Sequence, residues 1–322
     1  MSAGTAAPDA GLVHSTAVYS SDEEYVALAR PFVTEAQKRR APVYLTCSDH
    51  NRSVLRRSLG STDGVTFVPA EAHLTRPAAT IHEYRRRFAQ DIANGAHQIR
   101  VLEDVPHPGI GGSWSAWRRY EAAINLVFDD FPVWAFCPYD ERTAPEHVLA
   151  DARCAHPLVS ALDGTFTQNP HFVEPAVLLG TSLDENDPLE NGSAAVSLID
   201  PSPRAARDAV RSAAQGTGVS ESSLSDLVTA VSEAVTNAWK HGVQPLTVQV
   251  WAATLRVLVT VHDCGGGPAD PLAGFRPVAG DGETGRGLWI THQLVDHAAL
   301  RRNNHGFTIA LSTAPPPQPP TS

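Results

Sequence analysis

The chain has 322 residues, 42% of them hydrophobic and 19% charged, which fits a folded protein, excludes a disordered one and is long enough for about two cores. Its net charge of −10 argues against a binder of the phosphate backbone, because nucleic-acid affinity rests on clustered Lys and Arg, so no direct nucleic-acid partner is expected. No apolar run approaches the roughly 18–20 residues that span a bilayer, and MSAGTAAPDAG lacks the regions of a signal peptide, so no membrane partner is expected and the expected location is cytoplasmic.

From Leu12 to Val173 short apolar runs alternate with helix-like stretches. PVYLTC (42–47), VTFVP (65–69), QIRVLE (98–103) and PVWAFC (132–137) read as strands. IHEYRRRFAQDI (81–92) and SAWRRYEAAINLVF (115–128) carry helical spacing between them. This rhythm predicts crossover units, hence a doubly wound, mostly parallel sheet with helices on both faces over residues 1–180. The cysteines Cys47, Cys137, Cys154 and Cys264 are scattered without a CxxC pair. Buried free thiols are the expectation, with a metal shared by Cys137, Cys154 and His156 as the alternative.

TSLDENDPLENGSA, beginning at Thr181, is dense in Asp, Glu, Asn, Gly and Ser. Such a composition is expected not to order itself, so residues 181–192 read as a linker. The second domain is expected over 193–314, and the proline-rich 315–322 as an extended, disordered tail. Within the second domain RAARDAVRSAAQ (204–215) predicts a helix, and Ser220 can cap another. The stripe of that second helix is Leu224, Leu227, Val228, Val231, Val235 and Ala238. LTVQVWA (246–252) and LRVLVTVH (255–262) read as strands, and HAALRR-NNHG-FTIALST closes as a hairpin. Helices then cover one face of an antiparallel sheet.

VSEAVTNAWKHG (231–242) places Asn237 inside a helix with Glu233 one turn earlier, on the side opposite the apolar stripe. Asn costs several tenths of a kcal/mol there relative to Ala; taken alone the pair reads as a solvated polar face, and two further segments change that reading. In VHDCGGGP, Asp263 ends a strand and its glycines let backbone approach a ligand closely. In GETGRGLWITHQLVD, Gly285 and Gly287 precede a helix whose free N–H groups can receive phosphate oxygens. No GxxxxGK[ST] occurs, so the P-loop device is excluded, as is a GxSxG elbow.

The order Glu-x-x-x-Asn, strand-end Asp-x-Gly-x-Gly, then Gly-x-Gly opening a helix resembles the GHKL ATP fold shared by gyrase, histidine kinases and mismatch-repair ATPases. The short interval between the glycine motifs is most similar to the anti-sigma factor and serine kinase branch. The resemblance implies an α/β two-layer sandwich for the second domain. It implies ATP with Mg2+ held by Asn237, and a base, Glu233, that orients or deprotonates the attacking hydroxyl. It implies adenine recognition by Asp263 beside Gly265 and Gly267, and phosphates lined by Gly285 and Gly287 with Arg286 nearby. The lid between the motifs departs from what phosphoryl transfer needs, since it holds only Arg276 and Arg286 as basic residues. Binding is therefore supported ahead of turnover.

The first half resembles a MEDS-type sensory domain that precedes this ATPase in actinobacterial anti-sigma regulators, through VHSTAVYSSDEEY (13–25), YEAAIN (120–125), FCPYD (136–140) and AHP (155–157). Relatives carry His where Tyr120 stands and Gly-Glu-Pro near Glu103. Ligands of parallel sheets sit outside the carboxyl ends of strands, which makes Cys137, Tyr139 and Asp140 candidates, with His14, Glu121 and Asp140 expected to converge.

The resemblance implies a switch protein that holds a sigma factor, releases it to an anti-anti-sigma (STAS) partner and phosphorylates a serine on that partner; a homodimer through the ATP domain is one expected state. The acidic charge suits competition for a basic sigma surface. The alternatives are a non-catalytic nucleotide-binding module and a sensor histidine kinase. The latter needs an acceptor His on a helical hairpin, and Asp200 to Ser222 contains no His.

Overall fold

Strand β1 (Val13–Tyr19) lies inside a seven-stranded sheet, parallel to β5 (Val133–Asp140) on one side and to β6 (Leu158–Ser160) on the other. The computed structural model describes residues 11–68, 76–108, 114–180, 186–275 and 286–314, and the chain separates into two units, residues 1–178 and 179–322. The tail 315–322 and residues 276–285 of the lid lie outside the described residues.

In the first unit the strand order is β3-β2-β4-β5-β1-β6-β7, with β2 (Val43–Thr46), β3 (Val65–Val68), β4 (Ile99–Glu103) and β7 (Phe166–Gln168). Every pairing is parallel except the β6–β7 edge. The expected doubly wound, mostly parallel sheet is therefore present, and β2 to β5 are the four strands that the apolar runs predict. β2, β4 and β5 are buried on both faces, which is why their runs lack alternation, whereas the edge strand β3 is only partly buried. β1 escapes that pattern because His14, Ser15 and Thr16 interrupt it, yet all three are buried. Ser15 Oγ donates to the Ala135 carbonyl and Thr16 Oγ1 to that of Cys137, so the polar strand is satisfied by its neighbour.

The helices of this unit are α1 (Asp22–Lys38), α2 (Asp49–Ser58), α3 (Pro77–Ala93), α4 (Trp114–Val127), α5 (Glu146–Ala155) and α6 (Pro175–Gly180). Side chains alternate across a strand. Val13, Ala17 and Tyr19 of β1 and Trp134 and Phe136 of β5 accordingly join Leu28, Phe32 and Val33 of α1 in one core. The alternate residues His14 and Cys137 project to the other face, where they meet residues of α4 and of the turn after α5.

The second unit is a five-stranded antiparallel sheet in the order β11-β12-β10-β9-β8. Its strands are β8 (Val196–Ile199), β9 (Thr247–Ala253), β10 (Arg256–Asp263), β11 (His297–Asn303) and β12 (Gly306–Ser312). Helices α7 (Pro203–Ala213), α8 (Glu221–His241) and α9 (Arg286–Leu294) accompany it. Ser220 caps α8 by accepting from the Ser223 amide at 3.1 Å. Leu227, Val228, Val231 and Val235 then bury against Val248, Val250, Val257, Val259 and Leu311, which closes the helical layer on one sheet face.

The segment expected to be an unordered linker is in part a strap on the opposite face. Asp187 and Glu190 form a capping box around a short helical turn, Pro188–Asn191. Leu189 and Ala194 pack against Trp251, Leu258 and Ala310, and Trp251 Nε1 donates to the Gly192 carbonyl at 3.0 Å. Asp187 pairs with Arg256, and Glu190 with Arg301 at 2.8 Å, both pairs nearly buried. Composition misled here because it counts apolar area alone, whereas these acids order the strap by answering arginines on the sheet. Residues 181–185 lie outside the described residues.

Candidate functional site

α8 presents Glu233 and Asn237 away from its buried stripe, both half-buried. They face the first turn of α9 and not open solvent. A Cβ added at Gly287 would lie 2.8 Å from Asn237 Nδ2 and 2.9 Å from Glu233 Oε2. Glycine at 287 is thus what lets the backbone at a helix N-terminus meet these two side chains. The helix starts at Arg286, so Gly287 belongs to its first turn and does not precede it. Thr291 fixes the approach of the helices, its hydroxyl reaching the Gly287 carbonyl at 2.8 Å and that of Ala230 at 3.4 Å. Among the described residues neither the Glu233 nor the Asn237 side chain has a hydrogen-bond partner. Gly285 and the Arg286 side chain lie outside the described residues.

Asp263 ends β10 and is buried. Its Oδ1 accepts from the Gly265 amide at 2.7 Å and the Val243 amide at 3.2 Å. The Cys264 amide bonds the Val243 carbonyl, which clips the chain leaving α8 to the end of β10. Among the described residues Oδ2 keeps its acceptor capacity. The neighbouring glycines serve the protein's own contacts. A Cβ at Gly242 or Gly265 would strike the Asp263 carboxylate, and one at Gly267, where φ is +68°, would strike the Phe307 ring. The room expected for a ligand at Gly265 and Gly267 is therefore room that the Asp263 carboxylate and the Phe307 ring need. Cys264 is exposed, against the expectation of buried thiols.

In the first unit His14, Glu121 and Cys137 come together, and His156 joins them, all four buried with one donor atom each inside 4.8 Å. His156 Nε2 lies 2.9 Å from Glu121 Oε2, His14 Nε2 lies 3.5 Å from the same oxygen, and Cys137 Sγ lies 3.7 Å from His14 Nε2. Burial and the facing His156 push the His14 imidazole down to about 4. Burial pushes the Glu121 carboxyl up, but His156 and His14 outweigh it and leave the group at about 2. Burial, with Glu121, pushes the Cys137 thiol well up.

Asp140 does not converge with His14 and Glu121 as the sequence suggests. It is an odd number of residues from Cys137 along β5, so it points to the opposite face, where Arg142 grips its carboxylate at 2.7 and 2.8 Å. Cys154 also stays out of the cluster and is half-buried. The sequence alternative of a metal shared by Cys137, Cys154 and His156 thus has two of the four members right and Cys154 wrong, with His14 and Glu121 in its place.

Beside this cluster a cavity of about 390 Å³ opens at the carboxyl ends of β1, β2, β4 and β5, where the strand order reverses. Tyr139 and Asp140 line it with Tyr19, Asn51, Asp104 and His107. Burial raises the Asp104 carboxyl to about 6, and burial lowers His107 to about 4. Asp104 Oδ2 accepts from the Ser48 amide and Asn51 Nδ2, both at 2.9 Å. Among the described residues Asp104 Oδ1, His107 Nδ1 and the Tyr139 hydroxyl are buried without a hydrogen-bond partner.

Among the described residues no helix is long and apolar enough to cross a membrane. Comparison with curated proteins finds no match. The crystal structure of the RsbU and RsbW domains of Rv1364c from Mycobacterium tuberculosis is similar at 22% identity over 37% of this chain and 32% of that one, with a TM-score of 0.28. This chain thus spans about a third of that structure's length. The family model of the MEDS domain, the methanogen/methylotroph, DcmR sensory domain, matches residues 13–157. That of the histidine kinase-like ATPase domain matches residues 200–313. The chain therefore carries a MEDS domain N-terminally and a histidine kinase-like ATPase domain C-terminally.

Proposed function

We propose that the second unit binds ATP with Mg2+ and that the chain is a partner-switching regulator: it holds a sigma factor, yields it to an anti-anti-sigma (STAS) protein, and phosphorylates a serine of that protein. The observation that carries this reading is the meeting of Glu233 and Asn237 with Gly287 at the start of α9. It supplies a carboxylate, an amide oxygen and helix N–H groups at one place, which is the donor set for a magnesium-bridged phosphate chain. Asn237 would hold the cation, whose role is to neutralise phosphate charge. Glu233 would orient the acceptor hydroxyl, and the free Oδ2 of Asp263 would accept from an exocyclic amino group. The polar cavity of the first unit suits a small polar signal molecule. A cytoplasmic location and a homodimer belong to the same reading.

A nucleotide titration of the full chain with and without Mg2+ tests it. Binding that needs Mg2+ and drops at least about tenfold in Asn237→Ala is expected, a loss of about 1.4 kcal/mol. Equal affinity in Asn237→Ala, or no binding at millimolar ATP, overturns the reading. The second reading, a nucleotide-binding module without turnover, is favoured by the lid, whose only basic residues are Arg276 and Arg286. Glu233→Ala separates the two: loss of phosphate transfer with sigma binding kept supports the kinase, and no transfer by the unmutated chain supports the module.

A further inference from the structure

The buried quartet of the first unit has lone pairs with nowhere to go. Asn125 Nδ2 is committed to the carbonyls of Ala155 at 2.9 Å and Glu121 at 3.1 Å, so its Oδ1, 3.0 Å from His14 Nδ1, is an acceptor. His14 Nδ1 therefore carries the proton, and Nε2 turns a lone pair inward. His156 repeats the arrangement, with Nδ1 donating to the Ala152 carbonyl at 2.7 Å and Nε2 turned inward. What these two lone pairs meet is a carboxylate and a sulfur. Among the described residues neither oxygen of Glu121 accepts an aligned hydrogen bond, and His156 Nε2 has no hydrogen-bond partner although Glu121 Oε2 is near. A fully buried carboxylate without an aligned hydrogen bond is among the costliest groups a core can hold. Four electron-pair donors converging on one point ask for a cation.

We propose that His14 Nε2, His156 Nε2, the Glu121 carboxylate and the Cys137 thiolate bind a Zn2+ ion. With bonds of about 2.0–2.3 Å, a tetrahedral ion sets its ligand atoms about 3.3–3.8 Å apart. The separations of 3.5 Å from His14 to Glu121 and 3.7 Å from His14 to Cys137 fall in that range. The 2.9 Å from His156 to Glu121 requires only a small opening. The Nδ1–H bonds to Ala152 and Asn125 are the outer contacts that fix imidazole tautomer and ring direction in zinc sites. The mixed nitrogen, sulfur and oxygen set favours Zn2+ over Mg2+ or Ca2+, which prefer oxygen alone. Four protein ligands close the shell, which makes the ion structural: it ties β1 and β5 to α4 and to the turn after α5, next to the cavity at Tyr139. Binding releases the thiol proton to solvent, and no oxidant is needed.

The test is metal uptake by the full chain. Stripped protein reconstituted with Zn2+ is expected to retain about one equivalent after gel filtration. Reconstitution with Co2+ is expected to give the intense visible bands of a tetrahedral site and a sulfur-to-cobalt charge-transfer band. Cys137→Ser is expected to abolish the charge-transfer band and weaken Zn2+ binding about a hundredfold or more, since even outer-contact losses reach that size. The unmutated chain reports by itself should a variant fail to fold. Three results overturn the proposal: no metal retained after reconstitution, cobalt bound with octahedral, sulfur-free spectra, or a metal-free His156 imidazolium seen by nitrogen NMR in chain saturated with Zn2+.

Discussion

The two units treat ionisable side chains in opposite ways. The first hides them: His14, Glu103, Asp104, Glu121 and His156 are all buried between a parallel sheet and its helices. The second keeps Glu233 and Asn237 half-buried at the seam of two helices, and spends its buried arginines, Arg256 and Arg301, on a strap across the far face of its sheet. An enclosed polar centre suits something as small as an ion or a small molecule. An open seam suits a ligand that stays partly in solvent, where a partner can reach it. The contrast follows from architecture, because a parallel sheet is covered on both faces and the two-layer sandwich is not.

The sharpest way to break the contrast is to strip the strap of its anchor. Asp187→Ala leaves the Arg256 guanidinium buried against the sheet without its carboxylate, a change that costs about 3–5 kcal/mol in comparable pairs. Hydrogen exchange read by mass spectrometry, which resolves the two units separately, is expected to show faster exchange in β9, β10 and β12 and no change in the first unit. Unchanged protection in the second unit would mean that the strap is decoration.

Asp104 of the first unit and His297 of the second are also expected to answer pH with opposite signs. Asp104 has its carboxyl raised from 3.8 to about 6 by burial. Its contribution is therefore fully present below the unfolded value and is lost as pH rises through about 6. His297 is lowered from 6.5 to about 4 by burial. Its contribution is present above the unfolded value and is lost as pH falls through about 4. Each shift corresponds to about 3 kcal/mol. Between pH about 4 and 6.5 the Asp104 contribution should fall on going up, whereas that of His297, like those of His14 and His107 in the first unit, should fall on going down. Asp104→Asn keeps an acceptor for Ser48 and Asn51 and should flatten the first unit's profile; a profile that stays as steep would locate the titration elsewhere.

Much of this was legible in the sequence, and the misses share a cause. Continuous apolar runs marked β2 to β5, and a Ser cap with a clean stripe marked α8, because burial on both faces or on one stripe leaves a period. Asp263 and the pair Glu233 and Asn237 were legible because a polar residue at a strand end or inside a helix breaks a local preference. β1, the strap at 186–192 and the partnership of His14 with His156 left no such trace. Each is polar sequence made orderly by partners between 59 and 142 positions away, as Trp251 to Gly192, Ser15 to Ala135, Asp187 to Arg256 and His14 to His156 illustrate. Composition and period describe neighbours along the chain, and cannot price a charge whose answer lies in another element.

Gly287→Ala separates fold from site in the second unit. The added methyl meets only the ends of two flexible side chains, at 2.8 and 2.9 Å, and these can swing aside. Ala is also the better helix former by up to about 1 kcal/mol, so the melting temperature should hold or rise. Yet Glu233 and Asn237 would leave the positions in which they face the helix start, and ATP affinity should fall about tenfold, equivalent to about 1.4 kcal/mol. Equal losses of stability and affinity would show that the glycine serves packing alone.

The smallest effect tests whether the strap needs its polar stitch once its ion pairs are intact. Trp251→Phe keeps an aromatic ring over Leu189 and Ala194 but removes the Nε1–H bond to the Gly192 carbonyl. That carbonyl belongs to an exposed residue and regains water, so the cost is the net worth of one hydrogen bond, about 0.5–1.5 kcal/mol, rather than that of a stranded buried group. Urea denaturation of the second unit should move by that amount. A larger loss would mean that indole volume, not the hydrogen bond, seats the strap, and would place Trp251 with the apolar core of the outer face rather than with the charged pairs that flank it.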